Sequence, residues 1–422
     1  MKRVVVIGGG AAGLMAAVIA GREGAKVTLL EKMNYVGKKM GITGKGRCNI
    51  TNACDMSDFI KNTPGNGKFL YGAYERFTNE DLLQLLHDAG LETKVERGGR
   101  VFPASDSALD VRNTFMKLMK HYGVDVHLEE PVKKLLVDDG VVTGVVTDKE
   151  TYHADAVVIA TGGKSYPATG STGDGYILGA QVGHKITDIR PSLVPIVTEE
   201  SWVKDLMGLS LRNVELSVVA KNKVQAKMFG EMMFTHFGIT GPIVLSLSHT
   251  VGKLMRKKNI GTIGLDINLK PALSPETLDK RLQKDFDLYS KKQLINGMKD
   301  LLPSRLIPLI IELAGIDPQK PINQISKEER QQIGYMLQHM PLTVKGLRPV
   351  EEAIVTAGGI SLKEFNPKTM ESKLVKGLYG AGEVLDIDAF TGGYNLQAAF
   401  STGYVAAMHI THPEALDRKS VV

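Results

Sequence analysis

The 422-residue chain is too long for one ordinary core, and at about 150 residues per domain it calls for two or three. Its 43% hydrophobic and 23% charged residues suit a globular enzyme, and 45 glycines exceed the usual share of about 7%, so backbone must approach something closely. A formal charge of +6 suits an anionic ligand without requiring nucleic acid, and two cysteines exclude a disulfide scaffold and fit a reducing, cytoplasmic setting.

The opening "MKRVVVIGGG" imitates a signal peptide, but its apolar run ends at Ile7, short of the roughly 7 to 15 residues of a signal core. No apolar run reaches 18 residues, so no membrane span is expected. Residues 4–7 read as a buried strand, 11–22 as a helix and 26–30 as a second strand, which together make a βαβ unit. Gly8, Gly10 and Gly13 occupy the G-x-G-x-x-G positions between strand and helix, and Glu31 closes the second strand 18 residues after Gly13. Gly8 permits the turn, Gly10 leaves room for a pyrophosphate and Gly13 lets helix and strand pack closely. Glu31 accepts from ribose hydroxyls.

"GITGKGRCNITN", Gly41 to Asn52, looks like a triphosphate loop and is not one: Arg47 and Cys48 follow Gly46 where that loop needs Lys and then a hydroxyl. Alternation around Asp139-Gly140 and Asp148-Lys149 predicts a three-stranded meander, followed by a buried strand at 157–160 that delivers Thr161, Gly162 and Gly163 to a ligand. From Pro191 the segments "NVELSVVAKN", "GPIVLSLS" and "GTIGLDINL" read as strands of a small β domain. The stretch after Ser274, an N-cap followed by Pro275, reads as helical.

The fold class is therefore α/β: a Rossmann-like domain over 1–190 and 344–422, with a parallel sheet and a meander. A mixed insert at 191–343 interrupts it, β-rich over 191–272 and helical over 273–343. Near the end, Gly380, Gly382 and Glu383 follow a strand, and Gly392 and Gly393 precede a helix from about Leu396. Its N-terminal charge of roughly +0.5 would stabilise negative charge at the N1–O2 edge of an isoalloxazine; capping by Asn395, with the glycines serving only packing, is the alternative.

These residues, with "GKKMGITGKGRCNITN", "TGSTGDGYILGAQVGH", "FTHFGITGP" and "GAGEVLDIDAFTGGYNLQAAFSTG", resemble the bacterial FAD-binding flavoproteins of the aminoacetone-oxidase and 3-dehydro-bile-acid-reductase-like kind over essentially the full length. More distantly, "TGDGYILGAQVGH" is similar to a segment of fumarate-reductase-type flavoproteins. The resemblance implies FAD held by Gly8, Gly10, Ala11, Ala12, Gly13, Glu31, Lys32, Gly37, Val132, Thr161 to Gly163, Gly382, Glu383, Gly393, Asn395 and Leu396. Lys38 and Lys39 would meet the pyrophosphate, while Thr43, Gly44, Arg47, Cys48 and Asn49 would lie nearer the isoalloxazine. Arg47, Cys48, Asn49 and His236 are the candidate catalytic residues, Arg47 through its charge and His236 as a proton source; an ion pair for Arg47 and a loop-stabilising role for His236 are the plainer alternatives.

Cys48 and Cys54 stand in C-x5-C spacing, unlike the C-x4-C of flavin disulfide reductases, and the insert carries no second G-x-G-x-x-G. NADH or NADPH, if used, would visit transiently. His184 and His339 stand alone, and no metal site is expected. The expected activity is an FAD-dependent reductase passing hydride to a polarised C=C bond of a small molecule. The alternatives are an RNA uridine reductase, suggested by the net charge and "KLMRKKN" at 253–259, an amine or aminoketone oxidase, and a non-enzymatic FAD-binding sensor. The sequence does not set the oligomeric state.

Overall fold

The computed structural model describes residues 1–414; the expected end of the nucleotide domain, 415–422, lies outside the described residues. The chain forms two units, one made of Met1–Ser192 with the chain from Pro349 onward, the other of Leu193–Arg348.

The first unit is built on a five-stranded sheet in the order Leu378–Gly380, Ala156–Ile159, Arg3–Ile7, Lys26–Leu30, Asp125–His127, every pair parallel. Strands buried on both faces need unbroken apolar runs, which is why 4–7 and 156–159 show no alternation. In register, Ile7 lies beside both Leu30 and Ile159, so the first strand sits in the sheet interior and ends where the first glycine turn begins.

The helix Ala11–Arg22 is buried continuously from Ala11 to Ala20. It packs against the last helix, Tyr394–Thr411, through small residues: a Cβ on Gly403 would stand 2.3 Å from the Ala12 carbonyl oxygen. The meander forms from Val132–Asp138, Val141–Thr147 and Thr151–His153. Asp139 and Gly140, at φ 44° and 74°, make its first turn, the left-handed pair that matches strand twist. Among the described residues no helix is long and apolar enough to cross a membrane.

The second unit contains a closed six-stranded barrel in the order Ile196–Thr198, Gly238–Thr240, Lys223–Phe234, Ser210–Ala220, Ile263–Asn268, Met340–Leu347. Its helices include Pro275–Leu288, where the Ser274 hydroxyl accepts from the Thr277 N–H, and Lys327–Gln338, closed by a Ser326/Glu329 capping box. Two expectations change here. "GPIVLSLS" is not a strand but the start of the helix Pro242–Met255. Proline at the first helical position after Gly241, with apolar residues at 243, 244, 247, 251 and 254, outweighs its β-branched content.

The insert limits at 191 and 343 both fall inside strands. Arg190–Ser192 pairs with Val355–Ala357 in the first unit, and Met340–Leu347 closes the barrel after the helical stretch. The chain thus leaves and re-enters the first unit on adjacent strands, a geometry that accepts an insertion without disturbing the sheet.

Candidate functional site

The site is assembled where the parallel strands end. Gly8 has φ +99°, and a Cβ there would stand 2.6 Å from the Ala160 carbonyl oxygen; a Cβ on Gly13 would stand 1.8 Å from that of Gly8. Both glycines are required by packing within the chain. Gly10 is different: it is extended, and a Cβ on it would meet nothing within 4 Å. Open space therefore faces the start of the helix at Ala11 and Ala12, as a turn meant to receive a pyrophosphate requires.

Glu31 lies beside this turn. Its carboxylate accepts from the Gly9 N–H and the Met33 N–H, each at 2.7 Å, and burial pushes its pKa up despite these bonds. Fixed by two donors, the carboxylate keeps lone pairs for hydroxyl groups. The Gly37 N–H donates to the Gly9 oxygen at 2.7 Å and so ties the following loop to the turn. Val132 begins the meander and is buried. Lys32 pairs with Asp174 at 2.6 Å.

The two lysines expected at the pyrophosphate are held differently. The Lys38 ammonium lies 5.3 Å from the Tyr35 ring centroid, whereas Lys39 pairs with Glu383 at 2.8 Å and donates to Ser165 Oγ at 2.8 Å. Glu383 also accepts from the Thr356 N–H at 2.8 Å, so the charge of Lys39 is balanced within the protein. Thr161 Oγ1 is buried without a partner, against Gly175 of the helix Asp174–Gln181, where an added Cβ would stand 2.2 Å from it. Gly162 is left-handed, and a Cβ on Gly163 would stand 2.4 Å from Thr356 Oγ1.

The loop from Gly41 to Asn52 turns through left-handed residues at Gly44, Lys45, Gly46 and Cys48. Thr43 Oγ1 donates to the Met40 oxygen, and a Cβ on Gly44 would meet the Phe102 ring at 2.8 Å. Arg47 reaches Glu96 through both terminal nitrogens, at 2.7 and 3.2 Å, and Asp106 at 3.1 Å, with its guanidinium 4.0 Å from the Phe102 ring centroid. Two carboxylates thus balance its charge. Cys48 has no exposed surface, and burial pushes its thiol up to about 12; Cys54 is half-buried, and both cysteines are free.

The asparagines of this loop hold the start of the last helix. Asn49, its amide oriented to satisfy both ends, accepts from the Gly393 N–H at 3.0 Å and donates to the Thr51 and Val101 oxygens. Asn52 donates to the Gly392 oxygen at 2.9 Å, and the Thr51 hydroxyl donates to Gln397 Oε1 at 2.6 Å. A Cβ on Gly393 would collide with the Thr51 backbone at 2.3 Å. Thr51, Asn52 and Gln397 are not among the site residues expected from the sequence; the second asparagine of "NITN" is the available signal.

Asn395 does not cap the helix but bonds the Ala389 N–H and oxygen through its side chain. The first turn, Tyr394, Asn395 and Leu396, therefore keeps its N–H groups without helical acceptors, and no acidic residue lies in it. Gly382, φ +75°, lies against the first helix: a Cβ on it would stand 2.9 Å from the Ala12 Cβ. Open space at Gly10, the oriented Glu31 carboxylate and an unneutralised helix start all fit FAD. His236 belongs to the other unit, on the turn between Lys223–Phe234 and Gly238–Thr240, exposed and edge-on to Phe237 at 4.9 Å.

A family model described as the HI0933-like protein Rossmann domain matches residues 2–409. The chain is 31% identical over 414 residues to the 3-dehydro-bile acid delta(4,6)-reductase of Clostridium scindens, covering 96% of this chain and 98% of that protein. It is 30% identical over 411 residues to the ribosomal RNA dihydrouridine synthase of Haemophilus influenzae, with coverage of 96% and 98%. Among solved structures, a 3-ketosteroid-delta4-(5alpha)-dehydrogenase from Rhodococcus jostii is similar at a TM-score of 0.51 and 15% identity, covering 97% of each chain; this likeness shows the fold alone.

Proposed function

The chain belongs to the HI0933-like Rossmann family and is an FAD-dependent oxidoreductase, and from that premise we propose that it saturates a C=C bond conjugated to a carbonyl. NADH or NADPH is the proposed electron donor, and a uracil base in structured RNA the proposed acceptor. The names of both curated relatives suit that kind of reaction: a delta(4,6)-reductase of a 3-dehydro-bile acid, and a dihydrouridine synthase of ribosomal RNA.

FAD, when bound, supplies the hydride chemistry. The protein's part is to hold the adenosine end at Gly10 and Glu31 and to present the first turn of the Tyr394–Thr411 helix to developing negative charge. The acceptor also needs one proton. His236 is the proposed source, because its ring makes no hydrogen bond among the described residues.

The choice of RNA rests on where the charge sits. Between Leu193 and Arg348 there are 22 Lys and Arg against 15 Asp and Glu, while the rest of the chain carries 30 against 31. The whole excess of +6 thus belongs to the inserted unit, and a small enone with at most one carboxylate, as in a bile acid, gains far less from such a field than a polyphosphate chain does. This supports reversing the sequence-based order of the two substrate classes. The test is anaerobic: protein reduced by NADPH is mixed with ribosomal RNA from cells lacking the protein, or with a steroid dienone. Flavin reoxidation by the RNA, with dihydrouridine appearing in it, is the expected result. Reoxidation by the dienone alone would establish the small-molecule reading instead.

A further inference from the structure

Resting on the RNA reading above, we infer that one end of the inserted barrel is a docking surface for the RNA phosphate backbone, formed by the hairpin turn at Lys221 and Lys223 and the segment carrying Lys253, Lys257 and Lys258. Strand pairing brings the two together. Ala220, the last residue before the turn, pairs with Ile263, the first residue of the strand that follows the 256–262 segment, so both segments leave the barrel at the same end. All five lysines are exposed, and among the described residues none makes an ion pair.

Acidic residues are sparse over this stretch. Between Glu215 and Asp266 the chain contains seven Lys and Arg but only one acidic residue, Glu231. The nearby lysine that does find a partner, Lys227, sits farther down the hairpin and pairs with Glu215 at 3.2 Å. Asp266 is likewise occupied, by His339 at 2.9 Å. The carboxylates near this end are therefore engaged away from the five lysines.

Two ordinary explanations cover only part of the set. Lysines guard exposed strand edges against unwanted pairing, and the edge from Lys223 to Met232 is unpaired because Gly238–Thr240 reaches only Met233 and Phe234. That accounts for Lys223. A cation in the last turn of a helix is favoured by the helix dipole, which accounts for Lys253 at the end of Pro242–Met255. Neither accounts for Lys257 and Lys258 at the same end of the barrel as Lys221. Concentrated like charge costs stability unless an anion accepts it, and the repeated phosphates of a nucleic-acid strand can meet several lysines carried on two segments at one barrel end.

The test substitutes Lys221, Lys223, Lys257 and Lys258 together with glutamine and titrates a transcribed fragment of ribosomal RNA at several salt concentrations. FAD content and unfolding midpoint serve as the folding controls. If all four lysines meet phosphates, the slope of log affinity against log salt shrinks by about 3, since each contact contributes about 0.7 to 0.9. Affinity at moderate salt then falls more than tenfold, and the matching fourfold arginine variant keeps both. If wild type binds the RNA and forms dihydrouridine while the glutamine variant keeps its slope and affinity, the surface is wrong and the RNA reading stands. If wild type neither binds nor modifies the RNA, the RNA reading falls, and this surface with it.

Discussion

Replacing Gly10 with alanine separates ligand space from packing space at the first turn. Gly10 has φ −79° and ψ −173°, a conformation alanine adopts freely, and its new Cβ would meet no atom within 4 Å. The protein without cofactor should fold normally, with a gain of about 0.4 to 1 kcal/mol from the reduced freedom of the unfolded chain. With FAD the methyl group fills the space the pyrophosphate needs. Overpacking of this kind costs about 1 to 3 kcal/mol, which is about 5-fold to 150-fold in Kd. Gly13→Ala is the control: its Cβ would stand 1.8 Å from the Gly8 oxygen, so folding and binding should fail together. Apoprotein of each variant is titrated with FAD by quenching of flavin fluorescence, and its thermal unfolding is followed separately. Wild-type affinity in Gly10→Ala would refute the placement of the pyrophosphate; a lowered Tm in that variant would refute the claim that the space is open.

Glu31→Gln should weaken FAD binding by about tenfold or more, the value of a hydrogen bond to a charged group at about 1.5 to 3 kcal/mol. Because burial raises the Glu31 pKa in the folded protein, its contribution to stability is fully present below the ordinary carboxylate range and is lost as pH rises through the folded value. The apoprotein variant should therefore gain on wild type as pH rises, and a stability gap constant with pH would contradict this. For Arg47 and its partner Glu96, 2.7 Å apart, the flavin potential decides: Arg47→Ala should lower it and Glu96→Gln, which unbalances the pair toward the cation, should raise it. Unchanged potentials with lowered unfolding temperatures in both would make the pair purely structural. Alkylation of the native protein should label Cys54 and spare Cys48, whose thiol is buried and pushed up to about 12, and Cys48→Ser should keep most activity; equal labelling of the two would contradict the burial.

The parallel sheet was legible because its signals are local. The apolar runs at 4–7 and 156–159 and the glycines at 8, 10 and 13 each state a requirement that the neighbouring residues reveal. The barrel was not, since its closure joins Ile196–Thr198 to Met340–Leu347 across an intervening set of helices, and no period in the sequence marks a partner that distant. The helix Pro242–Met255 was missed for another reason: eight residues beginning "GPIV" satisfy both a buried strand and a buried helix until the spacing at 251 and 254 is included.

At the site the same division separates residue type from residue role. Glycines and Glu31 act on what adjoins them, and their positions follow from the turn itself. Lys39, Arg47 and Asn49 are polar residues whose partners stand far away in sequence: Glu383 for Lys39, Glu96 and Asp106 for Arg47, Gly393 for Asn49. A cation or an amide read without its partner is assigned to the ligand by default. The structure instead uses "CNITN" to fix Gly392, Gly393 and Gln397, so the stretch holds the start of the last helix. Loss of the Asn49 or Asn52 amide should free the glycine pair ahead of three backbone N–H groups, and under the proposed function any loss of reactivity should then follow from a displaced helix start rather than from a missing contact to substrate.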